Sequence, residues 1–448
     1  MASREQFSSR LGFVMAAAGS AVGLGNIWGF PTQTASNGGA AFVLVYFIMA
    51  FCLAYPALMA ELIIGRHARA NIVTALRGIA PNKPLRLAGT AVGLYGTLVA
   101  SLILSFYGIV AGWMLAYLLE SITAMFGWTG FSEWLLSFGL TRNLLFMGLF
   151  MLLTMGIIAS GIAAGIERWS TRLMPLLLVI MVSLIVYVMT QKGALEGLKV
   201  YLLPDLEQIH PQLILDAMGQ AFFSLSLGVG TMLVYGSYLS NEASLPRLGA
   251  AVTLVDAGIA FIAGLLIIPA IYVAKEHGAN IFDASGELIA GPDLIFQVLP
   301  ALFDSMGQVG LLVAFAFFTL MSIAALTSSI SMLEVPVALA TEETPASRRQ
   351  ATLVIGGLVF ACSSLILLNF DTLFGFIITL TTVYSQPLLG LMLCVFAGWV
   401  WHRNSLLQAI QAGHPNIENT LFWKIWPHYV KYLCPVLILT TLVRSLTS

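Results

Sequence analysis

The sequence predicts an all-α integral membrane protein of about eleven transmembrane helices, built as two inverted five-helix repeats with broken helices 1 and 6. Three observations point there: scarcity of charge, a succession of apolar stretches of membrane-spanning length, and two interruptions at matching places. Of the 448 residues, 59% are hydrophobic and only 9% charged, against roughly 25% charged in a soluble domain. Lipid, not water, is the solvent such a surface suits. A net charge of −1 with no basic stripe excludes a nucleic-acid binder. So many apolar stretches also exclude a soluble enzyme and a receptor with a single anchor.

Each crossing needs about 20 apolar residues. Read in order, the spans fall at 11–36, 40–65, 87–119, 142–163, 169–190, 213–239, 248–274, 306–341, 350–369, 372–400 and 428–446. The first could be mistaken for a signal peptide, since Arg4 and Arg10 precede an apolar run with Ala16-Ala17-Ala18. Apolar sequence continues to Phe30, however, and Ala21–Asn26 carries chemistry a discarded peptide would not need, so a retained span is expected. Lys and Arg orient the set. With the N-terminus inside, fifteen basic residues gather on the inner face and five outside (Arg142, Lys192, Lys199, Lys275, Arg444), which places the C-terminus outside. Trp113, Trp128, Trp134, Trp169, Trp401, Trp423 and Trp426 fall at or near span ends, as interfacial anchors do. Cys52, Cys362, Cys394 and Cys434 lie within apolar stretches and are expected as buried thiols. The six histidines show no metal-ligand spacing.

Two spans break helical logic. The first contains Gly19-Ser20-Ala21-Val22-Gly23-Leu24-Gly25-Asn26, and the sixth Ser224-Leu225-Ser226-Leu227-Gly228-Val229-Gly230. Either run alone is explained by close helix packing. Paired, five spans apart, they point to a transporter with inverted repeats, in which unwound carbonyls meet a cation and helix N-termini meet an anion. The expected organisation is residues 1–190 as the first repeat, 191–400 as the second, and 401–448 as a cytoplasmic connection and an eleventh helix.

Specific motifs add to this. Arg10-Leu11-Gly12-Phe13, Gly23-Leu24-Gly25-Asn26-Ile27-Trp28, Phe30-Pro31, Asn37-Gly38-Gly39 and Glu61-Leu62-Ile63-Ile64-Gly65-Arg66 resemble the neurotransmitter:sodium symporter family, and within it the bacterial amino-acid transporters. Gly219–Gly228 and Leu326-Thr327-Ser328-Ser329 resemble the sixth- and eighth-span motifs of the same family. The likeness runs over spans one to ten. It implies a chain in the bacterial cytoplasmic (inner) membrane, as monomer or dimer, that moves an amino acid with Na⁺ at two sites. The first site would use Ala21, Asn26, Ser224, Asp256 and the substrate's carboxylate. The second would use carbonyls of Gly19, Val22 and Ala324 with hydroxyls of Thr327 and Ser328. Bonding back to their own helix is the alternative for those hydroxyls.

The resemblance further implies that the substrate carboxylate is held by the amides of Leu24 and Gly25 and by the Tyr107 hydroxyl. Ala21, Ile103, Phe223, Ser226, Val229, Ser328 and Met332 would complete the pocket, although helix packing accounts for each apolar one alone. Monoamine-carrying relatives have an aspartate where Gly23 stands; glycine leaves room for a carboxylate.

Ionisable groups inside spans are costly and mark function. The clear cases are Glu61, Asp256 and Glu334. Asp256 stands where animal members have asparagine beside chloride, so its fixed charge is expected to replace chloride, with Tyr46, Gln220 and Ser224 around it, and to take a proton on the return step. A carboxylate merely paired inside the bundle is the alternative. Glu61 is expected to accept amides freed by the broken helices. An inner gate of Arg4, Tyr238 and Glu342 is expected, with ordinary cytoplasmic-face charges as the alternative for Arg4 and Glu342, whereas Gly29 and Phe374 replace the family's outer arginine and aspartate, leaving Phe223 and Tyr107 as the closing layer. The expected function is chloride-independent Na⁺-coupled import of an amino acid by alternating access. A ligand-sensing transceptor, or a carrier of a zwitterion other than an α-amino acid, is the alternative.

Overall fold

The computed structural model describes residues 4–281 and 294–447, and no strand occurs among them. Nine described helices are long and apolar enough to cross a membrane. They are Ala40–Ala68, Lys83–Met125, Leu140–Ala159, Ile162–Met189, Leu245–Glu276, Gln308–Glu343, Arg348–Leu368, Phe370–Val400 and Leu421–Leu446. The bent pair Arg10–Ala21 and Gly25–Ser36 makes a tenth. Two shorter helices, Pro211–Ser224 and Thr231–Ser237, occupy the predicted sixth span and bring the count to eleven.

Several boundaries extend beyond the apolar runs because caps, not hydropathy, set them. The third span begins at Lys83 rather than 87: the Asn82 side chain accepts from the Leu85 amide, and polar residues occupy the first turn. Ser9 starts the first span by accepting from Gly12. Ser347 and Gln350 form a reciprocal capping box at the ninth.

The first span stays helical through Gly19 to Ala21, then opens at Val22–Leu24 and bends by 55°. The sixth opens over 225–230, where Ser226, Gly228 and Gly230 have φ of 51°, 69° and 82°. That left-handed backbone is cheap only for glycine. At Gly228 a side chain is excluded twice over, because a Cβ would overlap the Gln386 carbonyl.

The third and eighth spans form the most extensive contact in the molecule and flank the broken helices. The second span packs on the inner half of the sixth, where glycines let backbones touch. A Cβ at Gly236 would lie 2.8 Å from the Leu62 carbonyl oxygen, and one at Gly65 would overlap that of Leu233.

Three expectations need correction. Trp128 and Trp169 are exposed, but Trp113 is buried against Phe138, Phe296, Phe370 and Phe374, because the third helix runs on past it. Trp401, Trp423 and Trp426 are buried as well. Among the thiols, Cys394 and Cys434 are buried, Cys362 is half-buried and Cys52 is exposed on the second span's outer surface; all four are unlinked. Arg142, counted among the outer-face cations, is fully buried near the start of the fourth helix, where its Nε donates to the Leu135 carbonyl (2.8 Å) and its guanidinium lies 4.7 Å from the Phe138 ring centre.

Candidate functional site

The two breaks meet at a cavity of about 40 Å³. Its lining includes all ten residues named for the substrate: Ala21, Leu24, Gly25, Ile103, Tyr107, Phe223, Ser226, Val229, Ser328 and Met332. Ser20, Gly23, Phe106 and Gln386 line it too. Ser20 and Gly23 belong to the glycine-rich run and Phe106 adjoins Tyr107. Gln386 carried no sequence signal. The Leu24 amide donates to the Tyr107 hydroxyl at 3.2 Å. Leu24 and Gly25 stand at the N-terminus of Gly25–Ser36, where first-turn amides lack intrahelical acceptors and the dipole favours an anion. A Cβ at Gly23 would overlap the Ser328 hydroxyl and lie 2.8 Å from that of Tyr107. Any side chain there would occupy the cavity.

Beside it, Asp256 is fully buried. Asn26 Nδ2 donates to its Oδ1 at 2.7 Å, and the Ser224 hydroxyl bridges both its oxygens at 3.1 and 2.9 Å. The Tyr46 hydroxyl in turn lies 3.1 Å from Ser224 Oγ. Asn26 Oδ1 is buried with no protein partner. Such an orphaned oxygen next to a carboxylate is what a hard cation takes as ligand. Gln220 points elsewhere, donating to the Gly25 carbonyl at 2.8 Å.

A second oxygen-rich group joins the first and eighth spans. The Ser328 hydroxyl lies 3.3 Å from the Gly19 carbonyl and 3.1 Å from that of Ser20. Thr327 Oγ1 donates to the carbonyls of Ile323 and Ala324, both at 3.1 Å, as back-bonding requires. A hydroxyl that donates one bond keeps lone pairs for a cation. Thr327 also packs against Gly19, whose Cβ would lie 3.2 Å from the threonine Cβ. Val22 is buried at the break itself.

The other intramembrane acids are engaged. Glu61 Oε1 accepts the Gly228 amide, freed by the sixth-span break, at 2.8 Å. Glu334 binds Arg348 at 2.5 Å and the Tyr238 hydroxyl at 2.6 Å, a link sequence spacing did not reveal. At the inner end Arg4 is paired with Glu342, donates to Ser237 Oγ at 2.7 Å, and sits 4.6 Å above the Tyr238 ring. Glu342 also accepts the Asn71 amide at 2.8 Å. Glu167, buried and unremarked in the sequence, accepts from Ser8 and Ser9 and ties down the N-terminal segment.

The outer end is built differently. Phe374 stacks on Phe370 (4.5 Å between ring centres) and packs against Phe106 and Trp113. Gly29 adjoins Gln220, whose Oε1 lies 3.5 Å from where a Cβ would stand, and both line a vestibule of about 440 Å³. Phe223 and Gln386 line both the vestibule and the inner cavity, so they form the partition between them.

The chain matches the model of the sodium:neurotransmitter symporter family over residues 4–138 and 135–448. It is 34% identical to YhdH of Bacillus subtilis, an uncharacterized sodium-dependent transporter, over 97% of this chain and 96% of that one. A sodium- and chloride-dependent GABA transporter 2 of Rattus norvegicus is 26% identical, covering 99% of this chain and 80% of its own. The crystal structure of MhsT in complex with L-phenylalanine superimposes with a TM-score of 0.84 at 38% identity, covering 99% of this chain and 100% of that one.

Proposed function

Because this chain belongs to the sodium:neurotransmitter symporter family, and so is a multi-pass sodium-dependent transporter and not an enzyme, we propose that it imports an amino acid together with Na⁺ by alternating access. The cavity between the two breaks carries this reading. Its amide-rich end, kept open by Gly23 and topped by Tyr107, suits a carboxylate. Its Ile103, Phe106, Val229 and Met332 side suits an apolar side chain, and L-phenylalanine, present in the MhsT structure, is the first candidate.

In this proposal one Na⁺ binds Ala21, Asn26, Ser224, Asp256 and the substrate carboxylate, and the orphaned Asn26 Oδ1 supports it. A second binds Gly19, Val22, Ala324, Thr327 and Ser328. Asp256, held by Asn26 and Ser224 with Tyr46 behind, makes transport independent of chloride. The N-terminus lies in the cytoplasm and the C-terminus outside, in a bacterial inner membrane, with residues 1–190 and 191–400 as the two repeats.

The test is uptake into proteoliposomes across the standard amino acids, with and without an inward Na⁺ gradient. One amino acid accumulating only with the gradient is expected. Na⁺-dependent binding without accumulation would favour the transceptor, a reading that the missing outer pair at Gly29 and Phe374 supports.

A further inference from the structure

A second cavity lies off the proposed transport path. It is a basin of about 640 Å³ on the face predicted to be cytoplasmic, between the end of the second span, the turn 78–81 and the stretch 400–412. Arg66, Arg69 and Arg86 converge on it with His67 and His402, and no carboxylate lines it. On that face Arg4 is paired with Glu342, Arg77 with Glu343 at 3.8 Å, and Arg348 with Glu334. No ion pair among the described residues engages the three arginines of the basin.

The basin is built, not merely basic. Arg66 is buried, and its guanidinium donates to the carbonyls of Ala243 and Ala409, which fixes one positive charge in the wall. Arg86 is held by its Nε, which donates to the Ala80 carbonyl at 3.2 Å. Arg69 caps the second span in left-handed backbone (φ 48°) and remains exposed. Trp401 closes one side, its ring 4.8 Å from that of His67. Guanidinium groups lining one basin repel one another, and an anion among them offsets that repulsion. Guanidinium forks match phosphate oxygens two at a time, and basic pockets at the inner ends of membrane helices take phosphate-bearing head groups.

We propose that this basin binds a phosphate-bearing anion, supplied by an anionic lipid head group or by a soluble phosphate compound. The test uses the full chain in nanodiscs, as wild type, as Arg69→Gln/Arg86→Gln, and as Arg77→Gln for a paired arginine on the same face. One arm counts phosphatidylglycerol retained by native mass spectrometry after detergent release. The other measures the thermal shift with inorganic pyrophosphate in phosphatidylcholine-only discs.

Retention by wild type and Arg77→Gln, falling roughly thirtyfold in the double variant as two lost charges imply, supports the proposal with lipid as the source. A pyrophosphate shift lost only in the double variant supports it with a soluble source. Equal behaviour of wild type and double variant in both arms overturns it, as does an equal loss in Arg77→Gln. If the double variant fails to fold, Arg86→Gln alone carries the same comparisons.

Discussion

At the residue scale, Gly23 acts by what it lacks. Its missing side chain leaves the space bounded by Ser328 and Tyr107 for a carboxylate. Gly23→Ser is expected to weaken amino-acid binding by at least about tenfold with little change in melting temperature, a balance that calorimetry and a thermal scan would check together. A hydrogen bond to a charged group contributes about 1.5–3 kcal/mol. Tyr107→Phe should therefore weaken binding by about tenfold or more while leaving the pocket's shape intact. Asp256 gives the sharper prediction. Asp256→Asn removes the fixed charge bridged by Asn26 and Ser224, so uptake should collapse in gluconate medium and recover with chloride. Uptake by the wild type should be the same in both media; chloride-dependent wild-type uptake would sink the assignment. Most of the pocket was legible because its polar and glycine residues stand in motifs. Gln386 was not, since a lone glutamine after an apolar run marks no local structure and reaches the cavity only through the tenth span's packing.

At the element scale, the two ends of the transport path are closed by different physics. The inner end uses directed charge: Arg4 with Glu342, and Arg348 with Glu334 and Tyr238. Arg4→Ala should raise the reactivity of cysteines placed along the inner half of the sixth span, and unchanged labelling would count against the gate. The outer end stacks Phe370, Phe374, Phe106 and Trp113 where an ion pair was absent from the sequence. Aromatic contacts are less directional, contributing about 0.5–1.5 kcal/mol per pair. Phe374→Ala is expected to speed substrate release to the outside several-fold in a washout assay, with inner accessibility unchanged. The sequence placed both breaks within one turn of where they occur. The first-span opening was set too early, because Gly19 and Ser20 look like breakers yet keep their helical bonds; the true break begins at Val22. Side-chain partners across the bundle, such as Arg348 for Glu334, have no periodic signature and emerge only when the spans assemble.

At the scale of the whole molecule, the proposed first sodium site includes the substrate carboxylate, so each ligand should stabilise the form that holds the other. Na⁺ together with the cognate amino acid is expected to raise the melting temperature by more than the sum of the two separately. Simple additivity would argue against shared ligands. The eleven-span architecture was legible because lipid imposes length and hydropathy on every crossing element. The arrangement of those spans was not, and the buried Trp113 and Arg142 show why: a residue's distance from a span end says little once a neighbouring hairpin folds over it.

The seam where Gly65 meets Leu233 and Gly236 meets Leu62 bears on how variation in this gene should be read. There the second and sixth spans meet backbone to backbone, away from the cavity, and even one added methyl group at either position collides with a main-chain carbonyl. In a saturation screen, the least tolerant codons should therefore include this seam as well as the pocket. Alleles lost there would show missing protein in the membrane rather than altered substrate preference, so an abundance assay run beside the uptake assay would sort the two kinds of null.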